Sequence, residues 1–572
     1  MFCLVYLVYM ANGRTIGAGD TVPASLLPFS ILENHNLYFD QFVPYYSLNS
    51  ESIWFFNEIN GHFLSSYPIV TPILITPIYA ILFLFLKLGD YSIDLFRPEF
   101  LLIVHIMEKL SASLIASISV IFVYLSLKEL VQKKTAAFTA IIFAFATNTW
   151  AISSQGLWQH GMVELLLAAS IYLIILNEKQ NSDKHIIALG ILSGLFAFNR
   201  PVDSILLIPI VFYILSLRDK RIAYYMCSAF LISLPFIYYN VHYFGSIFGG
   251  YNSLTNGLQF DAQALTRMAG LLISPNRGIF VYTPIIIFAI LGYFKIKQIS
   301  NTRIKNFFLV MGISILALLC VYGSFVIWWA GGSYGPRFLT GILPVLFIFL
   351  GLYLKDAHMN IKQKKNLFII FIFSILLIWS IFVQFVGAFY YPNGDWNGSP
   401  NNVDLHPEKC WYWNDTQIMR SFNAGIISPR NCIKNLQAIA NPPNEILAKG
   451  DLGKGWYGIE IWDGMSTRWM ENDSLITIYS PENRTATLSL NALSFYRNRT
   501  LEISSNGVHL ARVAVPARTG FVNVGMPMHL AKGENTIRLH VPDGCERPCD
   551  IKELNNPDSR CLSIAMQNVT VT

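Results

Sequence analysis

Apolar runs recur from the N-terminus to about residue 388 and then stop, as in a polytopic membrane domain. The pattern predicts spans at about 104–127, 135–152, 160–176, 186–198, 202–217, 222–240, 279–295, 306–329, 337–354 and 366–388. Met1–Ala11 is apolar but too short to cross alone. It reads as the outer half of a first helix whose beginning is missing or misassigned, which brings the expected total to about eleven spans. The pair 186–198 and 202–217 is broken at Asn199-Arg200-Pro201. Such breaks are tolerated in a bilayer where they line a cavity.

Beyond residue 388 the pattern changes. Residues 391–445 are rich in Asn, Pro, Trp and Asp and read as a linker or irregular cap. From 446 to 572 short alternating segments, such as Ser-Leu-Ile-Thr-Ile-Tyr and Asn-Thr-Ile-Arg-Leu-His-Val, are separated by turns such as Ser-Asn-Gly. Short strands at regular spacing predict a β-sandwich.

Charge orients this scheme. Only 13% of the 572 residues are charged, and the net charge is +6. The basic residues cluster at Lys128, Lys133 and Lys134, at Arg218, Lys220 and Arg221, at Lys295, Lys297, Arg303 and Lys305, and at Lys355, Lys362, Lys364 and Lys365. By the positive-inside rule these four loops are cytoplasmic in a plasma-membrane protein. The basic excess sets orientation and does not point to nucleic acid. Counting back through these loops places the polar loop 12–66 outside. Residues 67–88 are then a juxtamembrane helix or hairpin on the outer face, a reading that Pro68, Pro72 and Pro77 favour over a straight span. The outer loop with its juxtamembrane helices covers about 12–98.

Cys3, Cys227 and Cys320 lie in apolar segments. Cys410, Cys432, Cys545, Cys549 and Cys561 lie in the tail, as disulfides in an oxidising compartment would, with connectivity open. The tail also carries Asn-x-Ser/Thr triplets at Asn397, Asn414, Asn472, Asn483, Asn498 and Asn568, which fit an extracytoplasmic domain. No Cys/His set has zinc-like spacing.

Candidate chemistry collects on the expected outer side. Asp20, on the glycine-rich turn Gly17-Ala-Gly-Asp20, can take a proton from an acceptor hydroxyl or can be a plain turn residue. Arg277 and Arg337 each follow a Gly/Pro turn and precede a helix starting on the outside. A helix N-terminus with an Arg makes an anion site, and snorkelling to the headgroups is the alternative use. His160 and Glu164 share a helix face as a cavity-lining or a structural pair. Glu108-Lys109, and Arg200 with Asp203, read first as buried ion pairs and second as cavity lining. In the tail, Trp456, Tyr457, Trp462 and Trp469 read as sandwich core ahead of a sugar-stacking surface.

Taken in order, Gly19-Asp20-…-Pro23, Tyr67-Pro-Ile-Val-Thr-Pro72, Leu157-Trp-Gln-His160-Gly, Asn199-Arg-Pro201, Ser274-Pro-Asn-Arg-Gly278 and Trp328-Trp-Ala-Gly-Gly-Ser-Tyr-Gly-Pro-Arg337 resemble the GT-C superfamily of polytopic glycosyltransferases. The likeness is to its protein-mannosyltransferase-like and aminoarabinose-transferase-like group and covers about 1–390. It implies a GT-C membrane domain with an extracytoplasmic site and inverting transfer from a polyprenyl- or dolichyl-phosphate sugar to a glycan, lipid or protein acceptor. The base falls on Asp20, the donor phosphate on Arg277 and Arg337, and the acceptor side of the cavity on His160, Glu164, Arg200 and Tyr334. The resemblance leaves Mg²⁺ or Mn²⁺ dependence open and assigns no metal ligand. A flippase for lipid-linked sugars and a membrane-anchored glycan-binding protein are the other readings.

Overall fold

The structure is a computed structural model. It describes residues 1–43, 46, 53–88, 98–250, 257–259, 261–355, 364–427, 454–462, 465–480, 483–517, 520–554 and 558–571. The chain divides into two compact units. One comprises residues 1–39, 54–91 and 103–432; the other comprises 433–572 with two short pieces, 40–53 and 92–102.

The first unit is helical. Six described helices are long and apolar enough to cross a membrane: Leu102–Leu130, Gln159–Gln180, Arg221–Phe244, Thr302–Gly323, Arg337–Lys355 and Asn366–Phe389. Four shorter apolar helices accompany them, at Val70–Phe85, Pro201–Leu217, Ala264–Ile273 and Pro284–Tyr293. The expected span at 279–295 is not one straight rod. Helix Ile279–Tyr282 stops at Thr283, where φ is −141°, and Ile287–Tyr293 resumes the path after a 3₁₀ turn over Pro284–Ile286. Pro284 lacks an N–H and pushes the residue before it out of the helical region. The expected break at 199–201 is present, with Asp183–Asn199 and Ile208–Leu217 joined by a 3₁₀ segment at Pro201–Leu207.

The basic loops gather at one end of this bundle. There Lys179 pairs with Glu129 at 2.6 Å, and Asn301 caps Thr302–Gly323 while donating to Glu178 at 2.7 Å. Arg303 reaches the same Glu178, and Arg221 reaches Asn181. Lys and Arg residues gathered in short loops at one end are what the positive-inside rule requires of loops on one side. Residues 67–88 form the helix Val70–Leu88. Thr71 near its start donates to Asn199 at 2.7 Å, at the end of Asp183–Asn199 away from the basic loops.

Residues 390–427 fold as an irregular cap on this unit. The short helix Gln417–Ala424 is capped by Thr416, and Ile427 N donates to Phe389 O at 2.9 Å. Asn276 holds the segment through its amide, which faces the carbonyls of Lys409 and Tyr412 at 3.2 Å each.

A two-stranded hairpin, β1 (Phe56–Ile59) with β2 (His62–Ser65), lies in the first unit, and the described residues of the second unit form two antiparallel sheets. With strands β3 (Trp456–Trp462), β4 (Met465–Met470), β5 (Asp473–Ser480), β6 (Arg484–Ser494), β7 (Arg499–Ser505), β8 (Val508–Val515), β9 (Val522–Leu530), β10 (Gly533–His540) and β11 (Ile564–Val571), the orders are β5-β10-β7-β8 and β3-β4-β11-β6-β9. Strict in–out alternation along β7 and β9 buries Leu501, Ile503, Met526 and Met528 in the core between the sheets. Trp469 and Trp462 belong to a second, smaller aromatic cluster with Phe495 and Phe521. Cys545 and Cys561 form a disulfide; Cys410 and Cys549 are free thiols, and Cys432 lies outside the described residues.

Candidate active site

The site is built where the first loop meets the helix ends remote from the basic loops. After helix Phe2–Met10 the buried Asn12 amide donates to Gln155 Oε1 at 2.6 Å and to Ala388 O at 2.8 Å. Ile16 N donates to Gln155 O at 2.7 Å, and the Trp158 indole N–H donates to Ile16 O at 3.2 Å. These bonds stitch the loop to residues 155–158. Glu108 and Lys109 serve the same segment instead of pairing as expected. Glu108 accepts from Leu157 N at 3.1 Å, and the Lys109 ammonium donates to Gln155 Oε1 at 2.6 Å and to Ser154 O at 3.2 Å. Adjacent helical residues point in different directions, so each of the two reaches its own acceptor.

Two glycines permit the close fit. A methyl on Gly17 would lie 2.3 Å from Thr21 Oγ1, and one on Gly19 would lie 2.5 Å from the Trp54 ring. Between Gly19 and Thr21 runs a 3₁₀ turn that carries Asp20. The Asp20 side chain is 23% exposed, and its Oδ2 accepts from Arg337 Nη1 at 2.7 Å across 317 residues of sequence. Arg337 opens the 3₁₀ segment leading into Leu343–Lys355. Its Nη2 donates to Ala330 O at 2.9 Å, and its guanidinium lies 4.3 Å from the centre of the Trp158 ring. A guanidinium held by a carboxylate, a carbonyl and an aromatic face is fixed in direction yet keeps part of its donor capacity.

The other sequence candidates take different places. Arg277, expected on the donor phosphate, is 1% exposed and belongs to the scaffold. Its Nε donates to Trp329 O, Nη1 to Asn276 O and Gln417 Oε1, and Nη2 to Gly331 O and Asn397 Oδ1, at 2.7 to 3.2 Å. All five N–H groups therefore have protein acceptors, which leaves none to face an anion. Tyr334, expected to line the cavity, is likewise fully buried, with its hydroxyl on Val383 O and its ring against Tyr282 and Tyr391. Arg200 forms the buried pair with Asp203 at 3.1 Å, also donates to the Tyr322 hydroxyl, and lies 5.5 Å from the Phe338 ring centre. His160 is buried, with its ring 6.2 Å from that of Phe338. Glu164, one turn further along, is fully buried and accepts from the Thr149 hydroxyl at 2.8 Å. Trp158 and Trp54, the two indoles against Arg337 and Gly19, carried no assigned role in the sequence. Among the described residues, no group of three or more His, Cys, Asp and Glu could hold a metal ion.

An apolar groove of about 560 Å³ runs between Val70–Leu88, Pro98–Leu130, Gln159–Gln180 and Asp183–Asn199. Leu74, Met162 and Leu195 line it about one turn from Thr71, Gln159 and Asn199. Those three are linked: Asn199 accepts from Thr71 and donates to Gln159 O at 3.0 Å. The groove thus approaches a polar end beside His160 and Arg200.

Helices of this length and apolarity, gathered as one bundle with a carboxylate–arginine pair at the end away from the basic loops, define a polytopic membrane protein with a polar site at its surface. Residues 109–239 match the family dolichyl-phosphate-mannose-protein mannosyltransferase, and over that segment the chain is similar to the glycosyltransferases of that family. Among solved structures, the chain is similar to ArnT from Cupriavidus metallidurans bound to undecaprenyl phosphate, at 12% identity and a TM-score of 0.43, covering 81% of this chain and 82% of that one. The apo oligosaccharyltransferase of Archaeoglobus fulgidus gives 13% identity and a TM-score of 0.42; it covers 72% of this chain, which spans 59% of that one. A family 35 carbohydrate-binding module from an environmental isolate gives 15% identity and a TM-score of 0.16 over 21% of this chain and 86% of the module. No curated protein sequence matches significantly.

Proposed function

We propose that this protein is an integral-membrane glycosyltransferase that moves a sugar from a polyprenyl- or dolichyl-phosphate donor to an acceptor hydroxyl outside the cytoplasm. The observation that carries the reading is the 2.7 Å contact between Asp20 and Arg337. It joins the two groups that such a transfer needs, a proton acceptor and an anion holder, at the end of the bundle remote from the basic loops. The acceptor O–H gives its proton to Asp20 while its oxygen bonds to the sugar's anomeric carbon. The bond from that carbon to the phosphate oxygen breaks on the opposite face, and the configuration inverts. Polyprenyl phosphate leaves as a stable anion, so no general acid is required. Arg337, on the end of a helix and backed by Trp158, holds that phosphate. His160 and Arg200, expected on the acceptor side, are assigned in this reading to the polar end of the apolar groove, which would take the isoprenoid chain. Arg277 and Tyr334 support the scaffold, Glu164 serves as a buried structural acceptor, and the sandwich unit lies outside the cell.

The test is turnover of polyprenyl-phosphate sugar by the purified chain in nanodiscs, with Asp20→Asn as the comparison. Release of polyprenyl phosphate by the wild type and its loss in the variant are expected. Full activity of Asp20→Asn, or sugar-lipid translocation across vesicles without sugar transfer, overturns the reading.

A further inference from the structure

Trp54 stands in the first loop, immediately before the hairpin of β1 (Phe56–Ile59) and β2 (His62–Ser65). The hairpin fixes its backbone: Ser66 N donates to Phe55 O, and the Ser66 hydroxyl donates to Trp54 O, both at 3.0 Å. Its indole packs edge-on to the rings of Phe55 and Tyr67, at 5.8 and 6.1 Å between centroids. One edge of the indole presses on Gly19, the residue before Asp20. Even so, Trp54 is 55% exposed. A large apolar face held rigid, left open to solvent and set one residue from the proposed base suits a ring with an apolar face of its own.

We propose that Trp54 is a stacking platform for a pyranose ring positioned beside Asp20. The inference rests on the glycosyltransferase reading and adds a substrate contact to it. The C–H face of a pyranose lies against the indole, and its hydroxyls project toward Asp20 and solvent. Both the donor's sugar and the acceptor glycan's terminal sugar have this chemistry.

The full-length protein in nanodiscs is titrated with undecaprenyl phosphate, undecaprenyl phosphomannose and mannotriose. Trp54→Leu is expected to weaken binding of one or both sugar-bearing probes about fivefold, the effect of about 1 kcal/mol of aromatic contact. Undecaprenyl phosphate binding stays unchanged, and Trp54→Phe restores most of the loss. Weakening confined to phosphomannose assigns the platform to the donor sugar; weakening confined to mannotriose assigns it to the acceptor. Wild-type affinity of Trp54→Leu for every probe, as a headgroup anchor gives, overturns the platform. So does equal weakening of undecaprenyl phosphate, or a wild type with no sugar-dependent binding. A wild type that fails to bind undecaprenyl phosphate at all overturns the glycosyltransferase reading instead.

Discussion

Arg277 and Arg337 grip the same three-residue turn from two sides. Arg277 takes the carbonyls of Trp329 and Gly331, and Arg337 takes the carbonyl of Ala330 between them. Ala330 and Gly331 are both left-handed, with φ of 61° and 65°, which fans successive carbonyls outward. The first arginine is thus wholly enclosed, while the second also reaches Asp20.

The two arginines are therefore expected to fail differently. Arg277→Lys strands several buried carbonyls and lowers stability by about 3 kcal/mol, seen as a lower melting temperature in detergent. Arg337→Lys keeps the charge but loses the planar fork, so its melting temperature stays near wild type while kcat/KM for the lipid donor falls about 10- to 100-fold. Equal melting shifts in the two variants contradict this assignment.

Asp20 competes with a donor phosphate for Arg337. Asp20→Asn removes that competitor's charge, so bare undecaprenyl phosphate is expected to bind several-fold more tightly although sugar transfer is lost. Titration of both proteins with the lipid measures the change; weaker binding by the variant contradicts the competition.

Cys410 is buried within the cap, and burial pushes its thiol up to about 11. Thiolate is the reactive form, so maleimide at neutral pH is expected to leave Cys410 unmodified while labelling the exposed Cys549. Peptide mapping by mass spectrometry reads both, and labelling of Cys410 rises only when the chain is denatured. Rapid labelling of Cys410 at neutral pH contradicts its burial.

The disulfide Cys545–Cys561 closes a loop with a sequence separation of 16. Replacing both cysteines with serine is expected to destabilise the sandwich unit by about 3 kcal/mol. Limited proteolysis of the full chain, with faster cutting in the tail and unchanged cutting in the helical unit, is the readout. Unaltered tail protection contradicts a stabilising role.

Asp20 and Arg337 could be singled out in the sequence because glycine- and proline-rich turns beside apolar runs are local features. Hydrophobic length and loop charge likewise gave helix positions and a common end for the basic loops. What separates Arg277 from Arg337 is not local. The acceptors of Arg277 come from residues 276, 329, 331, 397 and 417, and their convergence is a property of the fold. The burial of Tyr334 is non-local in the same way, since its contacts come from residues 282, 383 and 391. Pro284 was visible inside the expected 279–295 span, but apolar length outweighed it. Trp54 is not legible in the sequence, because one aromatic in a polar loop carries no periodic signal, and only the fold sets its indole against Gly19.

The tight seats of Gly17 and Gly19 bear on how inactivating variants of this protein are to be interpreted. Neither residue has a side chain to offer a substrate, yet alanine at the first strikes the Thr21 hydroxyl and at the second strikes an indole. Both replacements would tilt the acid that follows them and mimic the loss of a reacting group. A genetic screen scored on inactivity alone would therefore draw the boundary of the chemistry too wide, and only a screen that also monitors lipid capture would separate the alignment of the acid from its reactivity.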